Sequence, residues 1–272
     1  MLKPVKELSE KIENVTAHNL SQKIETPNIQ DEIYGLTKSF NTMIEKLEQS
    51  FESQKQFSAN AAHELRTPLA VLQVKLDVFE KEENHNIEEF TELISDMKKH
   101  TSRLSNLVIS LLELTNLEEI PMENNIEVYS LIEEILWDLD SIAEKNNISL
   151  SLTGDTAKII GDDTLLYRGF YNLIENAIKY NNHNGKVDVD IETKNNDVII
   201  KISDTGIGIP TDMKERIFEP FVRVDKSRSR EMGGAGLGLA ITSEIIKKHG
   251  GSIEISDNMP KGTIFTVKIL RL

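Results

Sequence analysis

The chain has no cysteine among its 272 residues, so neither a disulfide framework nor a thiolate metal site can be built from it. That absence fits a reducing compartment, and the cytoplasm is the expected location. Cations are also scarce: 31 Lys and Arg stand against 45 Asp and Glu, a formal net charge of -14. A sequence-independent grip on nucleic acid needs surplus Lys and Arg to displace condensed counterions, so nucleic acid is not expected as a partner. Any anionic ligand must be held by a local cluster of donors. No stretch approaches the ~20 consecutive apolar residues that cross a bilayer, and the opening MLKPVKELSEKIEN lacks a signal-peptide apolar segment. As written, the chain is expected to be soluble. There is no internal repeat and no low-complexity tract, apart from a mixed basic and acidic loop around DKSRSREM.

What is present changes character along the chain. Val5, Leu8, Ile12 and Val15 recur at helical spacing, as do Ile33, Leu36, Phe40, Met43 and Leu47, so each set forms a stripe that needs a partner. Pro4 suits a helix start, and the polar stretch 16–30, with Pro27, reads as a connector between two short helices. The two helices form a parallel pair or an antiparallel hairpin; spacing alone does not choose. From Phe51 the helical signal continues to Phe79, interrupted only by Pro68, with Leu65, Leu69, Leu72, Leu76 and Phe79 in rhythm. After the polar turn KEENHN, Phe90, Leu93, Met97, Leu104, Leu107, Leu111 and Leu114 resume the stripe. The expected unit is a helical hairpin with an apolar face left over, and dimerisation into a four-helix bundle is the simplest burial. Pro121 and the run MENN close this half as a short linker.

Beyond the linker the pattern turns mixed. VDVDIET, DVIIKISD, IEIS and TIFTVKIL read as strands, and segments 166–180 and 239–249 as helices, which predicts an α/β sandwich.

Chemistry enters at QFSANAAHELRTPLAVL. If the leucine stripe faces the bundle core, the same rhythm puts Ala62 in that core and turns His63 about 100° outward. A neutral imidazole nitrogen is a good nucleophile, and the adjacent Glu64 carboxylate can accept the other ring N–H or assist proton removal. Pro68 removes a backbone hydrogen bond one turn later, so the helix can bend beside the reactive side chain. An exposed His beside Glu is by itself an ordinary solvated surface. In YNLIENAIKYN, the spacing of Asn172, Asn176 and Lys179 puts two amides and an ammonium on one helix face, suited to Mg²⁺ and polyphosphate. DTGIGIP follows a strand; Gly206 and Gly208 permit a tight turn, and a buried Asp204 can accept from the exocyclic amine of adenine. GGAGLGLAI opens a helix and leaves N–H groups uncovered for phosphate. The polar segment between the glycine runs is too long for a plain connector and reads as a mobile lid, with Arg223, Lys226, Arg228 and Arg230 as candidate cations.

These segments resemble those of a histidine kinase. FSANAAHELRTPL is similar to the phosphoacceptor box of the dimerisation and phosphotransfer domain. By that resemblance His63 is the phosphoacceptor, Glu64 the base or orienting carboxylate, and Thr67 completes an E-x-x-T pattern implied in dephosphorylating a response regulator. The later segments look like the asparagine, first glycine, phenylalanine and second glycine boxes of the ATP-binding domain. The resemblance implies a Bergerat-type sandwich with Asn176 on Mg²⁺, Tyr180 against adenine, Asp204 on the adenine amine, and Lys179 and Arg223 near phosphates. It adds Asn172, Gly206, Gly208, Ile209, Gly234, Gly236, Leu237 and Gly238 to the nucleotide site. Ala235 departs from the pattern, standing where a Thr or Ser hydroxyl often occurs between the glycines.

The start of the chain, ending in DEIYGLTKSFNTMIEKL, resembles a HAMP linker, normally fed by a transmembrane helix. The implied chain is multidomain, α plus α/β: a parallel HAMP coiled coil (1–50), a dimeric four-helix-bundle phosphotransfer domain (51–118), a linker (119–126) and the ATP-binding domain (127–272). By the same resemblance it is expected to be the cytoplasmic portion of a sensor histidine kinase, anchored through segments outside this chain. ATP and Mg²⁺ are the expected cofactors, and a response regulator and a second copy of the chain the expected partners. The rivals are an ATPase or clamp of the same sandwich fold, with Glu175 activating water, and a non-catalytic coiled-coil scaffold.

Overall fold

The computed structural model describes residues 23–25, 32–81, 85–117, 120–224 and 234–272. Outside those residues lie the stripe Val5 to Val15, most of the connector, Gly233, and the centre of the expected lid with Lys226, Arg228 and Arg230. The chain divides into two compact units, up to Thr67 and from Pro68 onward, with helix α1 (Glu32–Lys81) contributing to both.

In the first unit the described part of the connector is fastened to α1. The Asn41 amide accepts from the Ile24 N–H at 3.0 Å and donates to the Ile24 carbonyl at 2.8 Å. Lys23 pairs with Glu45 at 2.5 Å, and Ile24 and Ile44 are buried. Leu36, Met43 and Leu47 of the predicted stripe are exposed, as expected of a coiled-coil seam seen in one chain.

The second unit begins with a helical hairpin. Helix α2 (Ile87–Asn116) starts with a capping box in which the Asn86 side chain accepts from Glu89 N–H at 2.9 Å and Glu89 accepts from Asn86 N–H at 3.1 Å. At the turn the His85 ring stacks on Phe79, with centroids 3.5 Å apart. Leu72, Leu76, Phe79, Leu93, Leu104, Leu111 and Leu114 are half-buried and Leu107 is buried. Leu69, Val74, Val78, Phe90, Ile94 and Leu112 stay exposed. The hairpin thus covers much of the predicted stripe but leaves its Leu69, Phe90 and Met97 exposed, together with further apolar side chains beside it.

The remaining chain forms two layers. Its elements are β1 (Asn124–Glu127), α3 (Val128–Lys145), β2 (Ser149–Gly154), β3 (Lys158–Gly161), α4 (Asp163–Lys179), β4 (Lys186–Lys194), β5 (Asp197–Asp204), α5 (Gly238–Lys248), β6 (Ser252–Asp257) and β7 (Thr263–Leu270). Five strands pair in the order β2-β4-β5-β7-β6, with β2–β4 parallel and the others antiparallel. Alternation sends Val187, Val189, Ile191, Val198, Ile200, Ile202, Val267 and Ile269 into the core and Asp188, Asp190, Lys201 and Lys268 to the other face. Helices α3, α4 and α5 supply the second layer through Ile132, Ile135, Leu139, Phe170, Leu173, Ile174 and Ile245, all fully buried. Each such side chain contributes about 1.5–3 kcal/mol of burial.

One buried titratable group ties this layer together. His249, just after α5, donates from Nδ1 to the Ile245 carbonyl at 2.7 Å and accepts at Nε2 from the Asp162 N–H at 3.1 Å, at the start of α4. Burial pushes its pKa below the usual 6.5, opposed by the Ile245 bond and by Asp162 and assisted by Lys248. The folded state therefore binds this proton less well than the unfolded chain. The stability contributed by neutral His249 is full above about pH 6.5 and declines as pH falls below it, by up to about 1.4 kcal/mol per pH unit. Denaturant midpoints at pH 7.5 and 5.5 should differ more in the wild-type protein than in His249→Gln, and an equal difference would remove His249 as the cause.

Candidate functional site

The end of the sheet, the last turns of α4 and the start of α5 enclose a cavity of about 220 Å³. Helix α4 begins where Asp162 caps it, accepting from Leu165 N–H at 2.9 Å, and ends at Tyr180. Its buried stripe, Leu166, Phe170, Leu173 and Ile174, fixes its rotation, so Asn172, Asn176, Lys179 and Tyr180 line the cavity. The Asn176 amide donates to Asn172 Oδ1 at 3.4 Å, which leaves its oxygen as the end suited to a hard cation. Lys179 lies 2.9 Å from Glu175, which also lines the wall.

Strand β5 delivers Asp204 to the cavity floor, 6% exposed. Its Oδ1 accepts from the Gly206 N–H at 2.8 Å and the Thr263 N–H at 3.2 Å. Burial raises the Asp204 pKa, and the bonds from Gly206 and from the Thr263 backbone and hydroxyl oppose the rise. A Cβ on Gly206 would come within 2.3 Å of the Tyr180 carbonyl, which already accepts from the Ile207 N–H at 3.1 Å. Glycine there lets the loop close onto the end of α4.

Gly208, Ile209, Arg223, Gly234 and Gly236 complete the predicted part of the wall, together with Gly238 at the start of α5. Gly236 has φ +76° and accepts from the Phe221 N–H at 2.7 Å, tying the two sides of the expected lid at its base. Two predicted residues lie off the wall: Gly206 supports Asp204 from behind, and Leu237 is buried, its carbonyl accepting from the Ile241 N–H. Sequence reading missed Thr263 and Phe265, which line the cavity from β7. Thr263 opens a plain strand pattern, and its tie to Asp204 spans 59 residues.

In the first unit His63 is exposed on α1, Glu64 is half-buried, and the Thr67 hydroxyl donates to the His63 carbonyl at 3.0 Å. Ala62 is exposed as well. The expected contrast between Ala62 and His63 is therefore not created within one chain.

Among the described residues no group of three or more His, Asp or Glu side chains could hold a metal ion. Mg²⁺ retains several waters and takes few protein ligands when phosphates complete its shell, so the Asn176 oxygen fits that mode.

The comparisons with known proteins follow the same division. Residues 161–272 match the family described as histidine kinase-, DNA gyrase B- and HSP90-like ATPase, residues 53–120 the His Kinase A (phospho-acceptor) domain, and residues 1–49 the HAMP domain. The signal transduction histidine-protein kinase ArlS of Staphylococcus aureus is 35% identical over 268 residues, which is 97% of this chain. The chain is homologous to sensor histidine kinases. It spans 59% of the length of the ArlS relative. Histidine kinase AdeS of Acinetobacter baumannii superposes with a TM-score of 0.60 at 27% identity, covering 76% of this chain and 97% of that one. Histidine kinase ThkA, in complex with the response regulator TrrA, superposes with a TM-score of 0.64 at 25% identity, covering 84% of this chain and 66% of that one. In this chain the cavity lies within the residues that match the ATPase family, and His63 lies within those that match the phospho-acceptor domain. No helix among the described residues is long and apolar enough to cross a membrane.

Proposed function

We propose that this chain is the cytoplasmic part of a membrane-anchored, dimeric sensor histidine kinase that phosphorylates His63 from Mg-ATP and passes the phosphoryl group to an Asp of a response regulator. The observation that carries the reading is one chain holding both an exposed histidine in a phosphoacceptor domain and a cavity lined by Asn176, Lys179, Asp204, Arg223 and Gly236 in an ATPase domain. The exposed apolar side chains of the hairpin support a second copy as the partner that completes a four-helix bundle. Boundaries at 1–50, 51–118, 119–126 and 127–272 divide the work among HAMP, phosphotransfer, linker and ATP-binding segments.

In this mechanism Asp204 accepts from the adenine amine, and Tyr180 packs against the ring. Lys179 and Arg223 offset phosphate charge, and the N–H groups of the 234–238 turn receive phosphate oxygens at a helix start. Asn176 would hold Mg²⁺, which when bound would neutralise charge on the phosphate oxygens. A His63 ring nitrogen attacks the γ-phosphorus as the bond to the bridging oxygen breaks, ADP leaves, and Glu64 takes the proton from the ring. Positioning and charge neutralisation supply most of the catalysis. Glu175, the water activator of an ATPase reading, is 2.9 Å from Lys179, so its carboxylate is engaged in an ion pair along the helix. The test is incubation with γ-labelled ATP and Mg²⁺: acid-labile, base-stable label mapping to His63 supports the kinase, and free phosphate without labelled protein overturns it.

Thr67 carries a second expected activity, dephosphorylation of the regulator. Its hydroxyl proton is committed to the His63 carbonyl, so its oxygen is left to accept from a water and orient that water for attack on an aspartyl phosphate. Thr67→Ala removes this acceptor while improving helix propensity by a few tenths of a kcal/mol. His63 phosphorylation should stay near normal, and phospho-regulator mixed with the variant and ADP should decay near its spontaneous rate. Equal acceleration by wild type and variant would leave the hydroxyl with its backbone role alone.

A further inference from the structure

Helix α5 holds a fully buried hydroxyl that faces the proposed metal-bearing helix. Thr242 is 0% exposed. Its Oγ1 accepts from Asn172 Nδ2 at 2.9 Å and donates to the Gly169 carbonyl at 3.4 Å. Asn172 Oδ1 in turn accepts from Asn176 Nδ2 at 3.4 Å. The direction of this chain is fixed from its buried end. The Gly169 carbonyl can only accept, so the Thr242 proton points to it and the Thr242 oxygen is left as an acceptor. Asn172 must then present its NH₂ to Thr242 and its oxygen to Asn176. Asn176 must answer with NH₂, which turns its own oxygen away from Asn172.

We propose that Thr242 is a positioning residue for the metal: through Asn172 it sets the amide orientation of Asn176, so that oxygen rather than NH₂ is offered to Mg²⁺. The inference rests on the Mg-ATP reading of the cavity. The space at Gly238 belongs to the same device. A Cβ there would lie 2.2 Å from Asn172 Oδ1, so the first residue of α5 leaves room for the amide to sit in this orientation. The metal-bearing face of α4 and the glycine-rich start of α5 are thereby set by one relay between the two helices.

Without the Thr242 hydroxyl, Asn172 NH₂ loses its buried acceptor, and its amide no longer has a preferred direction. With Asn172 turned over, two NH₂ groups would face each other, and Asn176 relieves that contact by turning its own NH₂ toward the metal position. Outer-sphere partners of metal ligands are worth about 10- to 100-fold in metal affinity.

The test uses Thr242→Val, which matches the shape without the hydroxyl, and Thr242→Ser, which restores it. Binding of a fluorescent trinitrophenyl-ATP is titrated with Mg²⁺ and, separately, in EDTA. Thr242→Val should need about 10-fold more Mg²⁺ to reach half of the Mg²⁺-dependent tightening. Its affinity for the metal-free nucleotide should match wild type, and Thr242→Ser should return the Mg²⁺ requirement to normal. An unchanged Mg²⁺ requirement in Thr242→Val, or metal-free and metal-bound affinities falling together, overturns the positioning role. Failure of the Mg-ATP reading gives a different result, because wild type itself would then show no Mg²⁺-dependent nucleotide binding.

Discussion

His63→Gln should reduce incorporation of label from γ-labelled ATP to background while nucleotide affinity and dimerisation stay at wild-type values. The size of the effect follows from the chemistry: Gln offers no imidazole lone pair, and its amide nitrogen is not a nucleophile toward phosphorus at neutral pH. The absence of a structural penalty follows from exposure. His63 is exposed on α1, and the hydrogen bond formed there by Thr67 uses the backbone carbonyl of residue 63, which the substitution keeps. Surface changes of this kind shift stability within about 0.5 kcal/mol. Gel mobility, melting temperature and nucleotide titration on the same preparation separate loss of the acceptor from loss of fold. Label persisting at the wild-type level would move the phosphoacceptor elsewhere, and mapping would then turn to the other histidines of the chain, His85 and His100 among them.

How far such assignments can be read from sequence depends on whether a residue's role is set by its neighbours in the chain. The turn at Gly206, the face of α4 that carries Asn172, Asn176 and Lys179, and the glycine-rich start of α5 are local devices, and their residue types are visible where they occur. The strands 187–193, 197–204 and 263–270 were legible because a two-residue period persists along each. Strands β1 and β3 have four residues each, too few for a period to declare itself. Helix α3 is different, since Leu131, Ile132, Ile135, Leu139 and Ala143 form an ordinary helical stripe. Its signal was present but carried no chemistry to draw attention to it.

The harder failures are long-range. Thr263 reaches Asp204 only because β5 and β7 are neighbours in the sheet, and Thr242 reaches Asn172 across 70 residues because α4 and α5 pack side by side. Nothing in TIFTVKIL or LAITSEII distinguishes these threonines from strand-forming or helix-surface residues. Buried polar side chains obtain their meaning from partners that the fold supplies.

Asp204→Asn should lower ATP affinity by roughly 100-fold, about 2.7 kcal/mol, at little cost to the fold. The asparagine oxygen can still take the two backbone bonds that Asp204 Oδ1 accepts from Gly206 and Thr263, so the loop and the start of β7 keep their attachment. Neutralising the side chain also removes the desolvation that raises the Asp204 pKa, which offsets part of the lost charge-assisted bonding. What remains toward the cavity is an NH₂ where an acceptor stood. It meets the exocyclic amine of adenine donor to donor, leaving both groups without an acceptor at the buried Asp204 position. Inosine triphosphate, whose 6-oxygen accepts where adenine donates, reverses the match, so the ratio of ATP to inosine triphosphate affinity should fall steeply in the variant. Asp204→Ala cannot make this distinction, because it also strips the Gly206 and Thr263 N–H groups of their acceptor and unsettles the loop. Competition titrations with both nucleotides decide the matter: a parallel loss for the two would mean that the 6-position of the base does not meet Asp204, and adenine would have to be placed elsewhere in the cavity.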